Sequence, residues 1–224
     1  MKKLLLILSL PFLAVTLFAQ AVDHREKLGD KKGTKMNNLA AAAVFLGGNS
    51  STLAGDNSEN NRSIMGFHAG ISTPVLSIAE TLGIRAELVY SQQGDQYSYG
   101  ESSYYTSKTE CRMNYLNLPL LARFQHRSGF FAEAGLQPGL LLSAKEKTTS
   151  TGMGGGGTTK NDIKKELNSF DLGVPIGAGY TYKKKVALSA RVTPGLLNVN
   201  KKDGAFKGLK QRNMVISARL AYLL

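Results

Sequence analysis

Hydrophobic and polar residues alternate with a period of two along much of the chain, most clearly between residues 114 and 125. In this stretch one side carries Leu116, Leu118, Leu120, Ala122 and Phe124, and the other carries Tyr115, Asn117, Pro119, Leu121, Arg123 and Gln125. A period of two is typical of a β-strand whose two faces meet different environments. The pattern predicts eight strands, at about residues 39–47, 64–76, 83–94, 114–125, 130–143, 169–181, 186–199 and 214–224.

The gaps between the predicted strands alternate in length. Short gaps of about 4 to 6 residues follow the second, fourth and sixth strands, whereas gaps of about 12 to 25 residues follow the others. Transmembrane β-barrels show this alternation, because their periplasmic turns are short and their extracellular loops are long. We therefore predict an all-β fold, an eight-stranded antiparallel transmembrane β-barrel with both termini in the periplasm. Its contact surface would be the loops at about 48–63, 95–113, 144–168 and 200–211.

The charged residues of the predicted strands lie on the side opposite the apolar residues. An arginine or lysine facing lipid near the membrane midplane costs about 2–4 kcal/mol, so we interpret the polar side as the barrel lumen. Buried charges must be paired to be tolerated. The sequence thus predicts an internal ion-pair cluster, with a gated ion path as the alternative. The cluster comprises Arg85, Glu87, Arg123, Glu133, Arg191 and Arg219.

Three members of this cluster are predicted to alternate in sign. Glu87, Arg123 and Glu133 lie on three consecutive strands, so the guanidinium can lie between two carboxylates. The lumen of an eight-stranded barrel is narrow enough for side chains to fill it. We therefore expect a plugged lumen, in which Arg123→Leu destabilises the barrel without opening a pore.

Four prolines fall at similar heights on four consecutive predicted strands. They are Pro119, Pro138, Pro175 and Pro194. Proline lacks the backbone N–H that a strand ladder uses, so within sheets it marks bulges or edges. Our hypothesis is a belt of bulges or kinks at one level of the barrel. Chance tolerance of proline at separate irregular positions is an equal alternative.

Aromatic residues are predicted to gather near both ends of the strands, as the two interfaces of a membrane favour. The outer group contains Tyr97, Tyr99, Tyr104, Tyr105 and Tyr115. The inner group contains Phe124, Phe130, Tyr180, Tyr182 and Tyr222.

The N-terminal segment predicts export from the cytoplasm. Lys2 and Lys3 precede an apolar run that ends in the A-x-A site Ala19–Ala21, as in a signal peptide. We assign residues 1–19 to this signal peptide, 20–38 to a charged mobile leader and 39–224 to the barrel domain. No later segment has the 18 or so consecutive apolar residues of a transmembrane helix.

The chain is basic, with a formal net charge of +12 at pH 7. A basic surface often binds nucleic acid, but an exported protein seldom meets any, so we expect no nucleic-acid partner. We expect contact with outer-membrane lipid and lipopolysaccharide, with the barrel-insertion machinery, and with surface polysaccharide or envelope proteins. The candidate anion contact is the last long loop, where ordinary solvation is the alternative. Its lysines are Lys201, Lys202, Lys207 and Lys210.

No motif for catalysis, a metal or a cofactor stands out. His24, His68 and His126 lack the spacing of metal ligands, and Cys111 is the only cysteine. The glycine-rich run 152–157 lacks the Gly-Lys-Ser/Thr ending of a phosphate-binding loop. We therefore expect no enzyme, no metal and no cofactor, and leave a lipid hydrolase as the remote alternative.

Six segments in order resemble the PorT-like outer-membrane β-barrel domain family of porin-family proteins. They are GGNSSTL after the first strand, RAELVYSQQG at 85–94, NYLNLPLLARF at 114–124, FFAEAGLQPGLLLSAK at 130–145, NSFDLGVPIGAGY at 168–180 and RVTPGLLNV at 191–199. The resemblance implies the outer membrane of a Gram-negative bacterium. We expect a structural or surface-interaction role through the extracellular loops. The alternatives are a narrow solute channel and an accessory barrel of a protein secretion system.

Overall fold

The fold is known from a computed structural model, which describes residues 41–58, 61–102, 105–152 and 155–224. The predicted signal peptide and leader lie outside the described residues. Within the described ranges the chain forms strands and one short 3₁₀ helix, Lys164–Glu166. No helix in these ranges is long and apolar enough to cross a membrane. The strands are β1 (Ala43–Gly55), β2 (Asn61–Ser77), β3 (Leu82–Ser102), β4 (Tyr105–Asn117), β5 (Leu120–Gln125), β6 (Phe130–Gly152), β7 (Gly155–Asp162), β8 (Phe170–Gly173), β9 (Ile176–Tyr182), β10 (Val186–Pro194) and β11 (Gln211–Leu223).

Antiparallel pairing closes these strands into a ring. Strand β1 pairs with β2 on one side and with β11 on the other, so the first and last strands meet. Two positions in the ring are each filled by two successive strands, β4 with β5 and β8 with β9. Strand β7 lies outside the ring and forms a hairpin with the upper part of β6. The ring therefore has eight walls, and the predicted eight-stranded antiparallel barrel is confirmed.

The prolines predicted to form a belt do lie at strand interruptions, with one exception. The gap between β4 and β5 contains Pro119, the gap between β8 and β9 contains Pro175, and β10 ends at Pro194, whereas Pro138 lies inside β6. Each of the four proline carbonyls accepts a backbone hydrogen bond of 2.9–3.1 Å from a neighbouring wall. The prolines therefore remove N–H donors from the ladder at this level but keep the walls joined.

The two faces of the barrel differ as the alternation predicts. Large apolar side chains point outwards and remain exposed in a continuous band around the barrel. Members of this band include Val44, Leu46, Met65, Phe67, Leu120, Leu136, Ile176, Leu188, Ile216 and Leu220. The inward positions are buried and mostly polar or charged. The inward face of β5, for example, carries Leu121, Arg123 and Gln125.

The aromatic residues follow the prediction fully at one end of the barrel and in part at the other. Five aromatic side chains are exposed at the end where the connections are short, which we call the short-turn end; they are Phe124, Phe130, Tyr180, Tyr182 and Tyr222. At the opposite end Tyr115 is 1% exposed and lies inside the barrel. Tyr97 is half-buried and donates a hydrogen bond to Glu146. The prediction of an outer aromatic rim is therefore wrong for Tyr115, whereas Tyr97 does lie at that end of the barrel.

The connections opposite the short-turn end are long, but most of their residues are strand rather than loop. Pairing continues to Ser102 and Tyr105 in the β3–β4 hairpin and to Gly152 and Gly155 in the β6–β7 hairpin. We call this the hairpin end. The predictions of loops at 95–113, at 144–168 and over much of 48–63 were therefore wrong, and only 200–211 is almost entirely outside strands. These parts of the sheet have polar side chains on the outward face, so the strands continue without the apolar alternation that was used to predict them. The threonines in these segments favour strands.

Candidate functional site

Two glutamates and two arginines form an ion-pair network across the lumen. Glu87 on β3 accepts hydrogen bonds from both guanidinium groups, with the shortest N–O distance to Arg191 and that to Arg219 each 2.9 Å. Glu133 on β6 also accepts from both, at 2.6 Å from Arg191 and 3.0 Å from Arg219. The four side chains are almost wholly buried. Each arginine therefore joins two walls that lie across the lumen from its own.

Arg123 and Arg85 share this level but are held differently. The Arg123 guanidinium lies 3.4 Å from the ring centroid of Phe131 and comes no closer than 4.0 Å to Glu133. Arg85 donates hydrogen bonds to the Ala41 carbonyl and to the Ser72 hydroxyl. The structure thus brings all six predicted lumen residues together. The predicted order was wrong in one respect, because Arg191 and Arg219, not Arg123, lie between the two carboxylates.

The lumen changes character towards the hairpin end. Above the ion pairs, polar side chains such as Asn49 and Ser91 are hydrogen-bonded at 3.1 Å. Beyond them apolar side chains form a buried cluster, and Phe206 packs against this cluster from the 195–210 segment. The cluster contains Leu53, Cys111, Met113, Tyr115, Leu141, Ala144, Ile163, Leu167 and Val199. Sequence reasoning missed the cluster, although Met113, Tyr115 and Leu141 stand at inward positions of the alternation.

A cleft of about 460 Å³ opens on the outward face of β4, β6 and β7 near the hairpin end. Its basic residues are Arg112, Lys145, Lys147 and Lys160, and its acidic residues are Glu110, Glu146 and Asp162. All four basic residues are exposed. Sequence reasoning missed this cleft because it assigned these residues to two separate loops. The recurrence of Lys145 and Lys147 two residues apart was the available signal for a shared strand face.

The sequence model of a family described as "Outer membrane protein beta-barrel domain" matches residues 18–201 of this chain. The chain belongs to this family. Because the family is one of outer-membrane barrels, the predictions of outer-membrane localisation and of a non-enzymatic protein agree with it. Among curated proteins, none matches the chain.

Several solved outer-membrane proteins are similar to this family member in structure. The attachment invasion locus protein Ail of Yersinia pestis has a TM-score of 0.43 at 11% identity, with 82% of this chain and 99% of that chain covered. Neisserial surface protein A has a TM-score of 0.48 at 16% identity, with 82% and 97% covered. The N-terminal barrel domain of Pseudomonas aeruginosa OprF has a TM-score of 0.35 at 10% identity, with 81% and 97% covered.

The exposed apolar band is the lipid-facing surface of this outer-membrane barrel. The end of the band on each strand therefore marks the edge of the membrane hydrocarbon. On β6 the band ends at Leu142, and the next exposed residue is Lys145. On β4 the outward side chain paired with Lys145 is Arg112, so the charged cleft begins directly above the band. The parts of β3, β4 and β6 beyond this level, and all of β7, lie outside the membrane-spanning segments.

Asp95 is a buried acid in that outer part of β3. It is 2% exposed, it pairs across the ladder with Cys111, and its Oδ1 atom has no hydrogen-bond partner among the described residues. Burial, together with the nearby Glu146 carboxylate, raises the pKa of Asp95 to about 7. With Glu146, Asp95 borders a cavity of about 100 Å³ near the hairpin end, which Leu53, Met113 and Phe206 also line.

The four lysines predicted as an anion contact do not form a comparable site. Lys202, Lys207 and Lys210 are exposed, and none of the four lines the 460 Å³ cleft. The Lys201 ammonium group donates to the Lys165 carbonyl, which ties this segment to the 3₁₀ helix. Of the histidines in the described residues, His68 faces the lumen at 6% exposure. No group of residues in the described ranges has the composition of a metal site.

Proposed function

We propose that this outer-membrane barrel is closed to solutes and acts by surface contact through its hairpin end. The observation that supports a closed lumen is the filling of two successive levels. Arg191 and Arg219 cross the lumen at the lower level, and the apolar cluster around Met113 and Tyr115 fills the upper one. The cavities beside the ion pairs measure about 30 and 10 Å³. Such volumes hold one or two waters and are too small for a hydrated ion path.

We further propose that the hairpin end faces the outside of the cell and that both termini are periplasmic. In outer-membrane barrels the short turns are periplasmic and the long connections are extracellular. Here the turns at residues 78–81, 126–129 and 183–185 are short, whereas the β3–β4 and β6–β7 hairpins are long. The membership in a PorT-like subgroup rests on the six sequence segments and stays a proposal, as does a role in a secretion system. Co-purification with envelope proteins tests that role.

We expect the purified barrel to show no discrete conductance steps in planar lipid bilayers. We expect the same of Arg123→Leu, because Arg191 and Arg219 still cross the lumen in this variant. Arg123 approaches Glu133 only to 4.0 Å, so we also expect the variant to unfold within about 1 kcal/mol of the wild type. This is a smaller effect than the sequence alone suggests.

An open porin in the same bilayers controls for insertion and for the sensitivity of the current measurement. Steady unitary steps from the wild-type barrel would contradict a closed lumen and favour the narrow solute channel. Steps from Arg123→Leu alone would mean that Arg123, rather than the two bridging arginines, blocks the lumen.

A further inference from the structure

The outward cleft is built from two rows of side chains that cross β4, β6 and β7. The upper row is Glu110, Lys147 and Lys160, which stand directly opposite one another in the strand registers. The lower row is Arg112, Lys145 and Asp162, in the same order of strands. Each row therefore contains two adjacent cations, and the two carboxylates stand at diagonal corners.

Two like-charge pairs stand face to face in this arrangement. Arg112 lies opposite Lys145, and Lys147 lies opposite Lys160. Like charges directly opposite each other across strands destabilise a sheet. Within the described residues, no ion pair neutralises Lys145, Lys147 or Lys160, and Glu110 is engaged by Lys108 at 3.5 Å and Arg112 at 3.6 Å. Because four basic residues and the three acidic residues Glu110, Glu146 and Asp162 line the cleft, one positive charge remains for a bound anion to neutralise.

The height of the cleft identifies the kind of anion. Lys145 follows the last lipid-facing residue of β6, Leu142, by three positions, which is about 10 Å along a strand and less along the tilted membrane normal. At this height the cleft lies level with the lipid headgroups, and not farther from the membrane, where it would meet a soluble partner. At the lower edge of the cleft Asn114 donates a 2.8 Å hydrogen bond to Ser143, so neutral polar groups lie between the lysines and the hydrocarbon.

We propose that this cleft binds the phosphate groups of the phosphorylated glycolipid of the outer leaflet, with Lys145, Lys147 and Lys160 as the principal contacts and Arg112 at its edge. A volume of about 460 Å³ accommodates a phosphorylated sugar. Lysine and arginine are the usual protein partners of phosphate. The glycolipid's acyl chains would run down the apolar band below Leu142. The proposal rests on the proposed orientation, because it requires the hairpin end to be next to the outer leaflet.

The test measures binding of a fluorescent diphosphorylated lipid A by the folded barrel in non-ionic detergent micelles. The test variant is Lys145→Gln/Lys147→Gln/Lys160→Gln. The matched control is Lys202→Gln/Lys207→Gln/Lys210→Gln, which removes the same charge from the exposed 200–211 segment. We expect the test variant to lose affinity by on the order of a hundredfold, about fivefold per lysine, and the control to change by less than about twofold. Dephosphorylated lipid A should bind weakly to every form.

Several results would overturn the proposal. They are an unchanged affinity in the test variant, an equal loss in the control, or tight binding of the dephosphorylated lipid. Full displacement of the lipid by millimolar orthophosphate would assign the site to free phosphate instead. Heat-dependent gel mobility reports folding, and Arg112→Gln alone, with an expected loss of about fivefold, replaces the triple variant if that variant does not fold.

The failure of this proposal is distinguishable from failure of the proposed function. Micelles have no sidedness, so lipid binding is measured there whichever way the barrel faces in the cell. Labelling of a Lys202→Cys variant with a membrane-impermeant thiol reagent in intact cells reports the orientation separately. A barrel that binds phosphorylated lipid but is labelled only after the envelope is broken would contradict the orientation and leave the binding site intact.

Discussion

Replacement of Glu87 by glutamine is expected to lower the free energy of unfolding of the barrel by about 3–5 kcal/mol. Glu87 is 2% exposed and accepts four hydrogen bonds, two from Arg191 and two from Arg219. Glutamine keeps the size of the side chain but removes its negative charge, and it turns an amide group towards one guanidinium. The two arginines would then share only Glu133 inside a lumen that holds little water.

The exposed pair of Glu80 and Arg127 at the short-turn end provides the matched control. Their side chains are 79% and 86% exposed at an N–O distance of 3.4 Å, so Glu80→Gln removes the same charge from a solvated site. Exposed ion pairs contribute about 0–1 kcal/mol. Denaturant midpoints of the three proteins in detergent give the comparison. If Glu87→Gln unfolds at the same midpoint as Glu80→Gln, the lumen network does not stabilise the fold.

The sequence could predict the barrel because a membrane imposes a strict rule on each strand. A side chain that faces lipid must be apolar, so the outward positions can be recognised in the sequence as apolar residues at every second position. Leu120, Phe124 and Leu188 are examples. The inward positions can be recognised equally well, because charged residues such as Arg123 and Glu133 occupy them. Wherever hydrocarbon lies on one side of a wall, prediction and structure agree on which side chains point where.

The same rule says nothing beyond the edge of the hydrocarbon. The outer parts of β3, β4 and β6 have polar side chains on the outward face, so the period-two signal fades although the ladder continues. The cleft residues Lys145 and Lys160 were therefore placed in loops. The register of the β6–β7 hairpin brings these two lysines into one cleft, and a register between strands is not visible in the local hydropathy of the sequence.

The pairing inside the lumen was also beyond the reach of sequence order. Neighbouring strands put Arg123 next to Glu133, and the two are indeed opposite each other in the ladder. Yet the shortest contacts to Glu133 come from Arg191 and Arg219, which lie on other walls and reach across. In a narrow barrel a long side chain can reach several walls, not only the neighbouring one. The stagger of the strands sets the height of each charged residue and therefore decides which charges meet.

Asp95 should make the stability of the barrel fall as the pH rises from about 4 to about 7. Its pKa rises from 3.8 in a solvated chain to about 7 in the folded barrel, first through burial and then through the Glu146 carboxylate. The folded state therefore keeps a proton that the unfolded state releases, so folding is favoured at low pH and this advantage is lost as Asp95 ionises. One pKa unit corresponds to about 1.4 kcal/mol, which sets an upper bound of about 4 kcal/mol.

Asp95→Asn isolates this contribution, because asparagine resembles the protonated acid in shape and does not ionise. We expect the variant to match the wild type at about pH 4 and to exceed its free energy of unfolding by about 2–4 kcal/mol at about pH 8. Taking the difference between the two proteins at each pH cancels groups that titrate identically in both, and Asp203→Asn, at an exposed position, controls for loss of an acid. A pH-independent difference would mean that Asp95 is ionised in the fold. That result would require a counter-charge or a water beside Oδ1, which has no hydrogen-bond partner among the residues that the structure describes.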